Sequence, residues 1–317
     1  MGEPAGVGPE ITVSAWIARA EKKLSPFFVI SDSSLYEAHI PVQQIESPAQ
    51  ALDVFDKALP VFPLPLKKAA LAGQLEAENA PCVIESIEKG VEFVKSGQSA
   101  GLVTNPIHKA VLKEAGFAFP GHTEFLAHLC GGEQQPVMML AAKDLKVVPL
   151  TIHIALADVP CAISHEHIMK TARIVLDALR ADFGLVRPRL AIAGLNPHAG
   201  EGGQFGREEI EIISPAIESL KKEGYEVSGP HSADTLFHDD ARAGYDAALC
   251  MYHDQALIPV KTLDFHGGVN ITLGLPIVRT SPDHGTALDI AGKGLAKSES
   301  LIASLLKAAE IAHQRAG

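Results

Sequence analysis

The sequence predicts an α/β protein of two domains with mostly parallel sheets. Three observations point there. Strand-length apolar runs alternate with helical stretches along nearly the whole chain. A length of 317 residues at 47% hydrophobic content is ample for more than one core. Distinctive polar residues follow several apolar runs directly, at the strand ends where ligands collect in such sheets.

The elements follow in order. A helical period begins after Pro9 in PEITVSAWIARAEKK, and PFFVIS follows as a strand. Residues 40–73 are Pro-rich and weakly periodic, and read as loop with short strands. CVIESIEKGVEFVKS (82–96) is an amphipathic helix and SAGLVT a strand. NPIHKAVLKEAG reads as a helix with Pro106 at its start and Gly116 at its stop. VMMLAA and LKVVPLTIHIAL are strands. SHEHIMKTARIVLDALRADFG is a long helix with Ser164 as N-cap, half of a capping box because the Glu three positions on is absent. RPRLAIAGL is a strand, REEIEIISPAIESLKKEG a helix, YDAALCMY a strand and SESLIASLLKAAEIAHQRAG a closing helix. The expected domains are 1–115 with 290–317, and 116–289.

The balance of 27 basic to 38 acidic residues, a formal charge of −11, disfavours nucleic acid and anionic membranes as partners. An anionic substrate needs a local cluster of Lys and Arg. The apolar runs are strand-sized, well short of the ~20 residues of a membrane span. The first residues show no secretory pattern. The four cysteines (Cys82, Cys130, Cys161 and Cys250) form no CxxC pair and read as buried free thiols of a reducing cytoplasm.

His153, His198 and His253 each stand where an apolar run ends. Neutral imidazoles suit zinc and related divalent metals, and three protein ligands leave a coordination position open. Against that stands the ordinary reading, since the chain has 14 histidines. GLNPHAGEGGQFGREE packs glycines at 200, 202 and 203 ahead of a helix, a loop that lets backbone approach a ligand but matches no nucleotide fingerprint. In PGHTEFLAH, His122 and Thr123 lie near a helix start, where Thr123 is either a cap or a ligand contact, and Asp234 in HSADTLFH poses the same choice. Lys261, Asn270 and Arg279 follow within 30 residues of CMYHDQ, amid strand-like segments and turns. Converging, they would hold a phosphate and a carboxylate. HGTALDIAGKG (284–294) is a Gly-rich loop before the last helix.

GEPAGVGPE, PGHTEFLA, GLNPHAGEGG, MYHDQALIPVK and GVNITLGLPIVRTSPDHGTALDIAGKG together resemble the 4-hydroxythreonine-4-phosphate dehydrogenase family of vitamin B6 biosynthesis, over essentially the whole chain. The HGTALDIAGKG loop also resembles the adenosine-binding loop of isocitrate and isopropylmalate dehydrogenases. The resemblance implies that fold, a homodimer, and an active site in the cleft between two α/β domains. It implies that His153, His198 and His253 bind a divalent metal (zinc, cobalt or magnesium) shared across the dimer. His122, Thr123, Lys261, Asn270 and Arg279 are the implied substrate ligands, and Gly285, Thr286 and Asp289 lie in the implied cofactor loop, for NAD with NADP as the alternative. The implied reaction oxidises 4-phosphooxy-L-threonine at C3 and decarboxylates it to 3-amino-2-oxopropyl phosphate. Asp234 is the candidate base, with His122 and Lys109 as rivals. The alternatives are a dehydrogenase of D-threonate or D-erythronate 4-phosphate, a three-His metal hydrolase, and a phosphate-ligand binding protein without catalysis. Family members place a short apolar strand before GEPAGVGPE, so such a strand is expected upstream of Met1.

Overall fold

A computed structural model describes residues 1–119, 121–132 and 135–317. The chain forms two compact units, Met1–Pro136 with Leu275–His313, and Val137–Gly274 with Gln314–Gly317. Residues 116–132 and the strand at 279–282 thus stay with the first unit, whereas the expected boundaries lay at 115 and 289. Phe125 shows why. Its ring packs against those of Phe117 and Phe119 at 5.0 and 5.1 Å between centroids, in one cluster with Ile87 and Val91.

The strands in chain order are β1 Val29–Ser31, β2 Val42–Gln44, β3 Leu59–Pro63, β4 Leu102–Val103, β5 Val137–Ala142, β6 Leu145–Thr151, β7 Arg189–Ala193, β8 Glu226–His231, β9 Ala247–Tyr252, β10 Val269–Leu273 and β11 Arg279–Pro282. In the first unit β3 lies between β1 and β2, parallel to both, and β4 pairs parallel with β11. In the second the order is β10-β5-β6-β9-β7-β8. β6, β9, β7 and β8 pair in parallel, while β5 is antiparallel to both its neighbours. The fold is therefore α/β with mostly parallel sheet. Its second core is built from Leu140, Val147, Ala248, Cys250, Ala256 and Val260. β5, β6, β7 and β9 are buried on both faces, which is why they read as continuous apolar runs.

Most elements form where the periodicity placed them, and the exceptions have causes. Pro106 does not open its helix, which spans Lys109–Glu114. The Pro106 carbonyl instead accepts a bond from the Glu3 N–H at 2.9 Å, so the chain stays open there. Gly116 does end that helix, with φ +87°. Ser164 caps His165–Ala181 by accepting from the His167 N–H at 3.2 Å. The segment after YDAALCMY was read as strand and turn, yet His253–Leu263 is a helix with Pro259 inside it. The helix expected from Arg207 is a π-helical turn, Glu209–Ile213, running into the α-helix Ser214–Lys222. Pro215, near the junction, has no N–H to continue the ladder. All four cysteines are free, but Cys161 is exposed rather than buried, being carried on a single surface turn, Val159–Ala162. Among the described residues no helix is long and apolar enough to cross a membrane.

β1 and β4 both line one cavity of about 390 Å³, with Gly90, Thr12, Leu301 and Met1. The Met1 ammonium donates to the Ile30 carbonyl at 2.9 Å, and burial lowers its pKa from the ordinary 8.0 to about 5. The first residues thus bond toward β1 through Met1 and toward Pro106, just past β4, through Glu3.

Candidate functional site

Two clusters gather the expected residues, one in each unit. In the first, Arg279 opens β11 opposite Leu102 and is only 3% exposed. Its Nη2 and Nε both donate to the Thr104 hydroxyl, at 2.6 and 3.2 Å. Burial without full hydration lowers its pKa to about 10, so it remains a cation at neutral pH. His122 begins the helix His122–Leu129, with Gly121 rather than Thr123 in the cap position. Burial, then the charges of Arg279, Lys109 and the N-terminal ammonium, holds its pKa well below the usual imidazole range. Its Nε2 is sealed from solvent and has no partner among the described residues. A neutral imidazole with an orphaned nitrogen beside two cations has the chemistry to receive an anion, since buried polar atoms are nearly always paired in a completed site. Thr123 is half-buried on the same first turn.

The second cluster contains the histidines. β6 and β9 are parallel neighbours with Thr151 opposite Tyr252. The residues just beyond both strands are therefore brought side by side, and the rings of His153 and His253 lie 5.9 Å apart between centroids. Two imidazoles on one tetrahedral ion sit ~5 Å apart on the same measure, given metal–nitrogen bonds of about 2 Å. His253 Nδ1 meets Asp254 Oδ1 at 2.7 Å, and His198 Nδ1 meets Glu201 Oε2 at 2.7 Å. A carboxylate on Nδ1 leaves Nε2 as the ligating atom, the arrangement that orients metal-binding histidines. The donor chemistry fits a divalent ion. The three rings do not all meet: His198 packs beside Phe205 at 6.2 Å, and no group of three or more ligating residues stands ready for a metal among the described residues.

His198 follows β7 in a loop of unusual backbone. Residues 198–202 all have positive φ, from 42° to 80°. Three of them are not glycine, and left-handed backbone costs such residues about 1–2 kcal/mol each. Offsetting bonds come from Glu209, 3% exposed. Its Oε1 accepts from the N–H groups of Leu195 and Asn196 at 2.8 and 2.7 Å, and its Oε2 from Asn196 Nδ2 at 3.0 Å.

Asp234 is exposed in a short turn and does not cap it, since Ser232 holds that position. The Ser232 hydroxyl donates to its carboxylate, which with the charge of His198 keeps its pKa below the usual carboxylate range. The bond to Glu201, then the charges of Glu201 and Asp234, raise the pKa of His198. Asp234 and Asp254 border one open hollow of about 580 Å³ with Tyr252 and Gln255. Of the remaining expected ligands, Lys261 lies on the helix His253–Leu263 with Nζ 5.4 Å above the Phe265 ring, and Asn270 is half-buried on β10. In the expected cofactor loop, the Thr286 carbonyl accepts from the Val7 N–H at 3.0 Å, while Gly285 and Asp289 are exposed.

Sequence reasoning did not assign Thr104, Glu201, Asp254 or Glu209. Asp254 and Glu201 had a local signal, a carboxylate one and three residues after a candidate ligand. Thr104 and Glu209 had none.

The sequence profile of the family described as Pyridoxal phosphate biosynthetic protein PdxA matches residues 22–308. The chain belongs to this family. It is 55% identical to the 4-hydroxythreonine-4-phosphate dehydrogenase of Caulobacter vibrioides, over 99% of this chain and 96% of that protein. The dehydrogenase of the same name from Ruegeria sp. is 54% identical, with 99% of this chain and 96% of that one covered. Among solved structures, the Klebsiella pneumoniae 4-hydroxythreonine-4-phosphate dehydrogenase superposes with a TM-score of 0.88 at 38% identity, covering 98% of both chains. A terephthalate 1,2-cis-dihydrodiol dehydrogenase from Burkholderia xenovorans matches at 0.63 and 26%, over 96% of each.

Proposed function

We propose that the chain oxidises 4-phosphooxy-L-threonine at C3 with NAD and decarboxylates the product to 3-amino-2-oxopropyl phosphate. The observation that carries this reading is the 55% identity, over 99% of the chain, to a dehydrogenase of that name. The geometry supports the division of labour among residues.

In this reading the cation cluster receives the anionic groups. Arg279, fixed on Thr104, supplies a buried positive charge, and His122 offers its unpartnered nitrogen as a neutral hydrogen-bonding group. Lys109 adds charge at the rim, while Thr123, Lys261 and Asn270 complete the set of substrate ligands. His153, His198 and His253 would hold a divalent ion, zinc or cobalt before magnesium on donor softness. When bound, that ion lowers the pKa of the C3 hydroxyl and stabilises negative charge on the oxygen through both steps. Asp254 and Glu201 keep the ligating nitrogens aimed. Asp234, ionised at neutral pH, takes the hydroxyl proton. Gly285, Thr286 and Asp289 would line the site for NAD, which when bound would supply the hydride acceptor for C3. The resulting β-keto acid loses carbon dioxide because its ketone accepts the electrons of the breaking bond. The working form is proposed to be a homodimer that shares the metal site, in a reducing cytoplasm, a compartment that its four free thiols suit.

The test is direct. Purified chain, NAD and Co²⁺ or Zn²⁺ are mixed with 4-phosphooxy-L-threonine, and with D-threonate and D-erythronate 4-phosphates in parallel. Reduced nicotinamide should appear fastest with the first substrate, together with carbon dioxide. Faster turnover of either sugar-acid phosphate would move the assignment to that substrate, and hydrolysis without nicotinamide reduction would overturn the redox reading.

A further inference from the structure

We propose that Glu209 is a positioning residue for the metal site, fixing the left-handed loop 198–202 so that His198 presents its free nitrogen to the ion. The inference rests on the reading of His198 as a ligand and adds a residue that touches neither metal nor substrate.

The argument begins with the loop. Glu209 is bonded to the two residues that leave β7, Leu195 and Asn196, and to the Asn196 side chain. Glu208 takes a second bond from the same amide at 2.7 Å. The Asn196 carbonyl in turn accepts from the Ala199 N–H at 3.1 Å, across Pro197 and His198. The ring of His198 thus hangs from a turn whose base is clamped by one buried carboxylate. The glycines of the loop are shaped around it. A Cβ built on Gly200 would stand 2.6 Å from Glu209 Oε2, and one on Gly194 3.1 Å from Oε1. The π-helical turn that begins at Glu209 is the departure from regular helix closest to this contact, and such turns recur at functional sites.

A purely structural carboxylate and a positioning one predict different results. Metal affinity is measured calorimetrically with Co²⁺ alone, and coordination number is read from the intensity of the Co²⁺ visible bands. Glu209→Ala should weaken Co²⁺ binding by about 10- to 100-fold, the usual penalty for losing an orienting partner, and its bands should match those of His198→Ala. Glu209→Gln keeps one oxygen for both backbone N–H groups and gives up only the bond from Asn196 Nδ2, which Glu208 continues to hold. It should bind within about threefold of the parent. If Glu209→Ala fails to fold, Gly200→Ala replaces it, because its methyl group displaces the carboxylate from the opposite side and should give the same loss. Unchanged Co²⁺ affinity and bands in a folded Glu209→Ala or Gly200→Ala chain would overturn the proposal even if the melting temperature drops. Parent-like binding by His198→Ala would instead refute the ligand assignment on which it rests.

Discussion

The cation cluster of the first unit and the histidine cluster of the second are built on opposite plans. Arg279 is buried and braced by a hydroxyl, and His122 is held neutral by its burial and then by the charges around it. That site is rigid before any ligand arrives, with one buried nitrogen of His122 left over to meet it. The His198 side chain is 65% exposed and that of His253 39%, and their partners are surface carboxylates on loops and a helix start. Such a site has its donors aimed but not assembled. Burial preorganises charge at the cost of solvation, whereas exposed imidazoles remain free to bind an ion that itself draws them together.

The sharpest way to break this comparison is His253→Ala. Turnover with added Co²⁺ should fall by about a thousandfold or more, as expected for losing a catalytic ion, while the melting temperature stays within a few degrees. Retained turnover would remove the histidine cluster from the chemistry. Next comes Arg279→Lys, which keeps charge but loses the planar fork. Its kcat/KM should fall roughly 10- to 100-fold, in keeping with one or two lost charge-assisted bonds, with Co²⁺ affinity unchanged. A parallel loss of Co²⁺ binding would show the two clusters to be one unit energetically. Asp254→Asn should weaken Co²⁺ binding by about tenfold, with the KM for substrate little altered.

The smallest effect concerns the cavity beside Met1. The folded pKa of its amine, about 5, lies below the ordinary 8.0, so the unfolded chain takes up the proton first as pH falls. Stability should therefore drop between pH 8 and pH 5 and level off below, by an amount on the order of 4 kcal/mol. A Val-Ala-Val extension ahead of Met1 converts the amine to an amide and fills the apolar space between β1 and β4. Its melting temperature should exceed the parent's by several degrees at pH 5.5 and by less at pH 8. An identical pH slope in the two chains would show that the Met1 amine is not the titrating group.

Much of the site was legible because its signals are local. Alternating apolar runs and helices located β5, β6, β7 and β9, and the glycines after Asn196 marked a loop that is left-handed at five successive residues. The pairing of His253 with Asp254 was visible as a dipeptide. Other features gave no signal in the chain order. Lys261 stands on a helix that Pro259 argues against, and the helix forms because Ala256, Leu257 and Val260 bury their side chains in the second core.

The sequence by itself determined the fold class, the family and the identity of the candidate ligands, since each depends on residue type and near-neighbour spacing. Tertiary structure alone decided which of them meet. His153 and His253 are 100 positions apart and become neighbours only because β6 and β9 pair in parallel with Thr151 facing Tyr252. Glu209 meets the residues after β7 only in the folded chain, where its carboxylate takes the Leu195 and Asn196 N–H groups. Register and packing are properties of the assembled sheet, and no short stretch of the chain encodes them.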